Sequence, residues 1–153
     1  EERNLLLHDG IATFMVQAGD VVAIERQVTM YQTNRWGMPD PSYLDVNTPA
    51  TLGYIRYATR ARILQKYPRH KLASDGTRYG AGQAIVTPSV IRGELLALYR
   101  ELEEAGIVEN FDQYKADLIV ERNANDRNRV DVLAPPDLVN QFRIFAMKTM
   151  YVL

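Results

Sequence analysis

The two histidines, His8 and His70, are the first residues to test for catalysis, since histidine commonly moves protons near neutral pH. His70 is followed by Asp75, and a carboxylate near a histidine could orient a general base. Ser74 and Thr77 are the neighbouring hydroxyl groups, but no spacing selects either as a nucleophile. The sequence has no motif of serine hydrolases, P-loop or dinucleotide-binding proteins, or zinc proteases. We therefore predict that the protein is not an enzyme.

Metal and cofactor sites find no better support in the sequence. The absence of cysteine excludes disulfides, thiolate catalysis and cysteine-ligated zinc or iron–sulfur centres. Residues 123–128 are rich in Asn and Asp but lack the glycine and the distal glutamate of a calcium loop, so an Asx-rich turn is the stronger interpretation. Residues 79–83 contain G-x-G without the third glycine. The sequence predicts no cofactor and no metal.

Charge is strongly segregated along this chain of 153 residues, although its net charge is only -1. Residues 56–80 contain seven basic residues and one acid, whereas residues 101–140 contain ten acids and four basic residues. Two such surfaces favour head-to-tail contacts between copies, which build rings or helical filaments. The alternative is two solvated faces that keep the protein soluble. No apolar run approaches the length that spans a bilayer, so no membrane partner is predicted.

The basic segment also permits a second functional class. Residues 54–71 mix Arg and Lys with three tyrosines, a composition that could attract a phosphate backbone and stack bases. Against a nucleic-acid-binding module, Tyr54 and Tyr57 fall on a helix stripe that we assign to the core. The acidic half of the chain would also repel phosphate. We keep this module as the alternative function.

A β-hairpin is predicted near the start of the chain. Its strands are predicted over residues 11–17 and 21–31, and Gly19 supplies the positive φ that a short loop needs. On the first strand, Ile11, Thr13 and Met15 alternate with Ala12, Phe14 and Val16. On the second strand, Val22, Ile24, Val28 and Met30 are predicted to share one face, with Arg26 interrupting it. Residues 32–47 are rich in Asn, Gly, Pro and Asp and are predicted to be an ordered loop.

Two helices follow, each opening with Thr-Pro. Thr48 and Pro49 begin the first helix, which must end near Tyr67 because Pro68 disfavours helical geometry before it. Its predicted buried stripe comprises Ala50, Tyr54, Tyr57, Ala61 and Leu64, and its other side mixes apolar residues with Arg56, Arg60 and Lys66. The second helix begins after Thr87, ends at Gly106 and buries Ile91, Leu95, Leu98 and Leu102.

The remaining segments complete a predicted α+β fold, with a hairpin and short strands packed with the two helices. Residues 68–86 are predicted to be a long loop, and residues 118–120 and 130–133 short strands. The final residues, 142–153, are apolar on both alternating faces, which a strand covered by protein on both sides requires. This segment is either a strand available to a neighbouring subunit or an edge strand of its own domain.

Several short segments, spread over nearly the whole chain, resemble those of a known protein family. They are YQTN and WG in residues 31–37, SYLDVNT in 42–48, PRHKL in 68–72, GQAIVTP in 82–88, DQYKAD in 112–117 and PPDLVNQF in 135–142. Together they resemble the contractile tail sheath proteins of Mu-like bacteriophages. The match is to the C-terminal part of a longer protein, so residues 1–153 are expected to be a fragment that forms the inner, tube-facing domain.

The resemblance implies a structural protein of the virion that is assembled in the host bacterial cytoplasm. Subunits would polymerise helically around a tail tube and contract to drive it through the host envelope, with baseplate and tail terminator proteins as further partners. No cofactor and no direct nucleic-acid contact are implied. The predicted subunit interface comprises Val22, Ile24 and Val28 of the hairpin and Phe142, Ile144, Phe145, Met147, Met150 and Tyr151 of the tail. Arg56, Arg60 and Lys66 are predicted to face the tube or a neighbour.

Overall fold

The computed structural model describes residues 2–151, which form a mixed α+β fold of helices and small two-stranded β pairs. This confirms the predicted fold class. The chain divides into two compact units, an N-terminal unit that ends at Lys66 and a C-terminal unit that begins at Tyr67. The N-terminal unit contains, in order, α1 (Glu2–His8), β1 (Thr13–Gln17), β2 (Val21–Arg26) and α2 (Asn47–Lys66).

The predicted hairpin is confirmed as the antiparallel pair β1–β2. Gln17 lies opposite Val21, and the connecting loop has positive φ at Gly19 (82°) and Asp20 (58°). Glycine adopts such angles without steric cost, which is why the turn forms here. A bulge after Thr13 shifts the register near the end of the pair.

The predicted loop after β2 is confirmed as an ordered segment held by polar contacts. Its two ends are tied together by a bridge between Val28 and Asp45. The Tyr31 hydroxyl donates to a carboxylate oxygen of Asp40 at 2.7 Å, and Ser42 donates to the same carboxylate through its hydroxyl and its backbone N–H. These donors, Ser42 first, hold the pKa of Asp40 below its usual value.

The C-terminal unit is built around one helix. Its elements are β3 (Lys71–Leu72), β4 (Ile85–Val86), α3 (Pro88–Glu104), β5 (Val108–Glu109), α4 (Phe111–Asp117), β6 (Ile119–Arg122), β7 (Val130–Leu133) and β8 (Asp137–Leu138). Helix α3 begins as predicted, because the Thr87 side chain accepts the Val90 backbone N–H. It ends at Glu104, and the φ of 70° at Gly106 lets the Ile107 N–H turn back to the Leu102 carbonyl at 2.9 Å.

Helix α3 carries the core of this unit. The predicted stripe of Ile91, Leu95, Leu98 and Leu102 is buried, and Tyr99 is buried beside it. The Tyr99 ring stacks on Tyr114 of α4 with centroids 3.7 Å apart, and its hydroxyl donates to the Glu109 carbonyl at 2.6 Å. Burial raises the pKa of Tyr114 to about 12. The stripe therefore packs α3 against α4 and the strands that flank it.

Short β pairs surround α3. Strands β3 and β4 pair in parallel, so the segment predicted as one loop over residues 68–86 contains a strand near its start and another at its end. Strands β6 and β7 form the predicted antiparallel pair, and β5 pairs with β8. Two-residue strands give no periodic signal in a sequence, which is why β3, β4, β5 and β8 were not predicted. Within residues 2–151, no helix is long and apolar enough to cross a membrane.

Candidate subunit interface

One face of the hairpin is an uncovered apolar surface. In the register of β1 and β2, Phe14 lies opposite Ile24 and Val16 lies opposite Val22, so all four side chains project from the same face. Each of them is more than 60% exposed. An apolar sheet face normally packs against a second layer. This hairpin face, defined by these four residues, is therefore a surface that a further layer of protein would cover.

Val28 does not belong to that exposed face. It is 8% exposed and pairs with Asp45, so it is part of the core of the N-terminal unit. The shared face predicted for Val22, Ile24 and Val28 is wrong because β2 ends at Arg26, where the side chain binds Asp45 with Nε 3.1 Å from Oδ1. Alternation along a strand stops at the end of that strand.

The tail lies uncovered along its whole described length. Residues 139–151 form no helix or strand, and Val152 and Leu153 lie outside the described residues. The predicted interface side chains of the tail are all 73–84% exposed: Phe142, Ile144, Phe145, Met147, Met150 and Tyr151. The interpretation that the tail is an edge strand of its own domain is therefore wrong for residues 142–151. The tail's own chain leaves its apolar faces without partners.

Helix α2 contradicts the predicted core stripe. It has no buried residue, and Tyr54, Tyr57 and Leu64 of the stripe are 51%, 70% and 56% exposed. The half-buried apolar residues lie on the side that we expected to be mixed, at Leu52, Ile55 and Ile63. The stripe of Tyr54, Tyr57 and Leu64 therefore lies on the solvent-exposed side of the helix.

The same helix carries charge of one sign. Among its 20 residues there is no acid, and Arg56, Arg60 and Lys66 are all exposed. The outer surface of α2 is thus apolar, aromatic and basic. The exposure of Tyr54 and Tyr57 also removes one of our arguments against nucleic-acid binding, because neither tyrosine is in a core.

His70 and Asp75, which we considered for catalysis, make structural contacts in the C-terminal unit. Oδ1 of Asp75 accepts the Ser89 backbone N–H at 3.0 Å and the Ser89 hydroxyl at 2.6 Å, at the start of α3. These bonds lower the pKa of Asp75 below its usual value. His70 packs edge-on against the Tyr67 ring, and its Nδ1 is buried without a hydrogen-bond partner among residues 2–151. Among residues 2–151, Asp75 accepts hydrogen bonds from Ser89 and His70 Nδ1 has no partner, so the orientation of His70 by Asp75 that we considered finds no support.

The Asn-rich segment is a turn, as predicted. The Asn123 side-chain oxygen accepts the backbone N–H groups of Asn125 and Asp126 at 2.8 and 2.9 Å. The Asn123 amide then donates to Asp131, which lowers the pKa of that carboxyl. The part of the chain that the structure describes contains no group of three His, Asp or Glu residues placed to hold a metal ion.

The chain is similar to a known protein family and to a known protein. The family described as phage tail sheath C-terminal domain matches residues 38–151. The Mu-like prophage FluMu tail sheath protein of Haemophilus influenzae is 57% identical over 152 residues, which cover 99% of this chain. They cover 31% of the relative, so the chain spans about a third of that protein's length.

Proposed function

Because the chain belongs to the phage tail sheath family, we propose that it forms the inner, tube-facing domain of a sheath subunit and is part of a longer protein. Subunits polymerise helically around a tail tube and contract, which drives the tube through the host envelope for genome delivery. The role is mechanical rather than enzymatic. The other partners are baseplate and tail terminator proteins, and assembly takes place in the host bacterial cytoplasm.

The observation that carries this proposal is a pair of uncovered apolar surfaces in one chain. The tail exposes six large apolar side chains, and the hairpin face exposes four. Covering one such side chain contributes roughly 1.5–3 kcal/mol, so leaving ten of them in water is costly for an isolated protein. Association between copies removes that cost. We propose that the tail of one copy is donated as a strand to the hairpin of another.

Strand donation suits a sheath that must change shape without coming apart. A donated strand is held by main-chain hydrogen bonds, and alternate side chains enter the two apolar layers beside it. The hairpin and the tail are different surfaces, so each copy gives to one neighbour and receives from another, and such contacts build rings or open helical assemblies. The energy for contraction is then the difference between two packings of the same linked subunits, with no nucleotide required.

We propose that Arg56, Arg60 and Lys66 face the tail tube or a neighbouring subunit. Their helix has no acid, and its outer surface combines the charges with exposed tyrosines, a composition common in protein interfaces. The same composition would suit nucleic acid. The comparisons give no support to that alternative, whereas they do support a sheath role, in which the partner surfaces are protein.

Deletion of residues 142–153 from the full-length protein tests the proposal. We expect a folded monomer that forms no tubes under negative-stain microscopy, because the described tail contributes no packing to its own chain. A matched control replaces Lys148 and Thr149, polar residues of the same segment, by serine and should still assemble. Unfolding of the shortened protein would show that the segment belongs to its own domain. Normal tubes would show that no strand is donated.

A mixing experiment then separates donor from receiver. Copies without residues 142–153 retain the hairpin face, and copies carrying Val22→Arg and Ile24→Arg retain the tail. Neither should assemble alone. When the two are mixed, we expect pairs in which the intact tail of the second variant binds the intact hairpin of the first, detected by analytical ultracentrifugation. The absence of mixed pairs would contradict donation between these two surfaces.

A further inference from the structure

The turn over residues 34–38 has a backbone fixed by its own hydrogen bonds. The Asn34 side-chain oxygen accepts the N–H groups of Trp36 and Met38 at 2.9 and 3.1 Å. The Asn34 N–H donates to the Met38 carbonyl, and the Gly37 N–H donates to the Asn34 carbonyl, both at 2.9 Å. Gly37 has a φ of 77°, and a bridge between Thr33 and Pro39 closes the turn. The turn therefore holds its shape without help from the side chains it displays.

Those displayed side chains are large and apolar. Trp36, the one tryptophan of the chain, is 71% exposed, and Met38 is 62% exposed. The Arg35 guanidinium lies 4.1 Å from the centre of the Trp36 ring. Trp, Met and Arg are enriched in protein interfaces, and a rigid turn that presents them loses little entropy on binding. Trp36 is therefore not one of the core residues of the N-terminal unit.

We propose that the turn over residues 34–38 is a subunit contact that docks on the acid-rich surface of a second copy, a proposal that rests on the sheath function above. Arg35 is the only charged residue between positions 27 and 39, so the turn is complementary to an acidic partner surface. The segment of residues 101–140 carries an excess of acids, ten against four basic residues. Its exposed acids are Glu101, Glu104, Glu109, Asp112, Asp117, Glu121, Asp126 and Asp137.

Photo-crosslinking in the full-length protein tests the contact directly. A benzophenone amino acid replaces Trp36, tubes are assembled and irradiated, and the crosslinked peptides are identified by mass spectrometry. We expect products that join position 36 to residues 101–140 of another copy. Products that join it to the tube protein, to another protein, or to a second copy outside residues 101–140 would overturn the proposal.

A substitution series covers the case in which the benzophenone variant does not assemble. Trp36→Ala should raise the critical concentration for tube formation about tenfold. Trp36→Phe, which keeps an aromatic ring, should raise it less, and both variants should keep the wild-type melting temperature. An unchanged critical concentration for Trp36→Ala would overturn the contact while leaving the sheath function intact. Failure of the wild-type protein to form tubes would instead count against the sheath function.

Discussion

Two helices of similar length differ completely in how they are packed. Helix α2 (Asn47–Lys66) has no buried residue, whereas α3 (Pro88–Glu104) buries six. Both sequences place Thr-Pro near the first turn and carry an apolar stripe at helical spacing. In α3 the stripe is the core of the C-terminal unit. In α2 the stripe is exposed at Tyr54, Tyr57 and Leu64.

The difference shows what an amphipathic pattern can establish. Spacing identifies which side chains share a face of a helix, because that follows from 3.6 residues per turn. It does not identify what covers the face, since a neighbouring protein can replace the chain's own core. An apolar stripe that remains exposed in a single chain is the signature of an interaction surface. For a sheath subunit, we interpret the α2 stripe in that way.

The sharpest test of this contrast is truncation of one leucine in each helix. Leu95→Ala in α3 should lower the free energy of unfolding by about 2–5 kcal/mol, because Leu95 is 3% exposed and its removal leaves a cavity. Leu64→Ala in α2 should cost less than about 1 kcal/mol, because that side chain is already in water. Urea unfolding of this chain, followed by circular dichroism, measures both values.

An equal loss of unfolding free energy in Leu95→Ala and Leu64→Ala would contradict the difference in packing between α3 and α2. A large loss in Leu64→Ala would mean that α2 is packed within its own chain in solution. A small loss in Leu95→Ala would mean that α3 is not the core element. Leu98→Ala, at another position of the buried α3 stripe, serves as a second member of the core class and should resemble Leu95→Ala.

The sequence predicted those helices and strands for which the spacing of apolar residues and the turn or cap residues at the ends indicate the same element. The hairpin was found from alternation and Gly19, and α3 from its stripe between the Thr87 cap and Gly106. Helices α1 and α4 were missed because seven residues hold only two turns, too few for a periodic signal. Such short elements are stabilised by tertiary contacts, as Tyr114 of α4 is by Tyr99.

The candidate interface was only partly predictable for a different reason. The two-sided apolar pattern of the tail left open whether its own domain would cover it, and the structure leaves the tail exposed through residue 151. Val28 was misplaced because no sequence signal marks the end of β2 at Arg26. The exposure of Tyr54 and Tyr57 could not be seen at all, since residues that bind a partner and residues that fill a core obey the same chemistry. Donation of the tail stays a prediction.

Replacing a glycine by alanine should change the stability of the chain in opposite directions at Gly53 and at Gly106, by less than the truncation of Leu95. Gly53 lies inside α2, and a Cβ added there would meet nothing within 4 Å, so Gly53→Ala should stabilise the chain by about 0.5–1 kcal/mol through helix propensity. Gly106 lies just after the end of α3 and has a φ of 70°, so Gly106→Ala should cost about 1–2 kcal/mol. Thermal unfolding of both variants measures the difference. Gly93→Ala, inside α3 and equally uncrowded, should follow Gly53→Ala.

The smallest effect on the fold is expected from charge reversal on α2. Arg56→Glu with Arg60→Glu should change the free energy of unfolding by less than about 0.5 kcal/mol, because both side chains are exposed. Assembly of the full-length protein around its tube, followed by sedimentation, should nevertheless weaken, and the loss should shrink as salt screens the charges. Lysine at both positions keeps the charge and should assemble normally. Unchanged sedimentation of the reversed variant at low salt would remove the arginines from the interface, and α2 would then contribute only its apolar stripe.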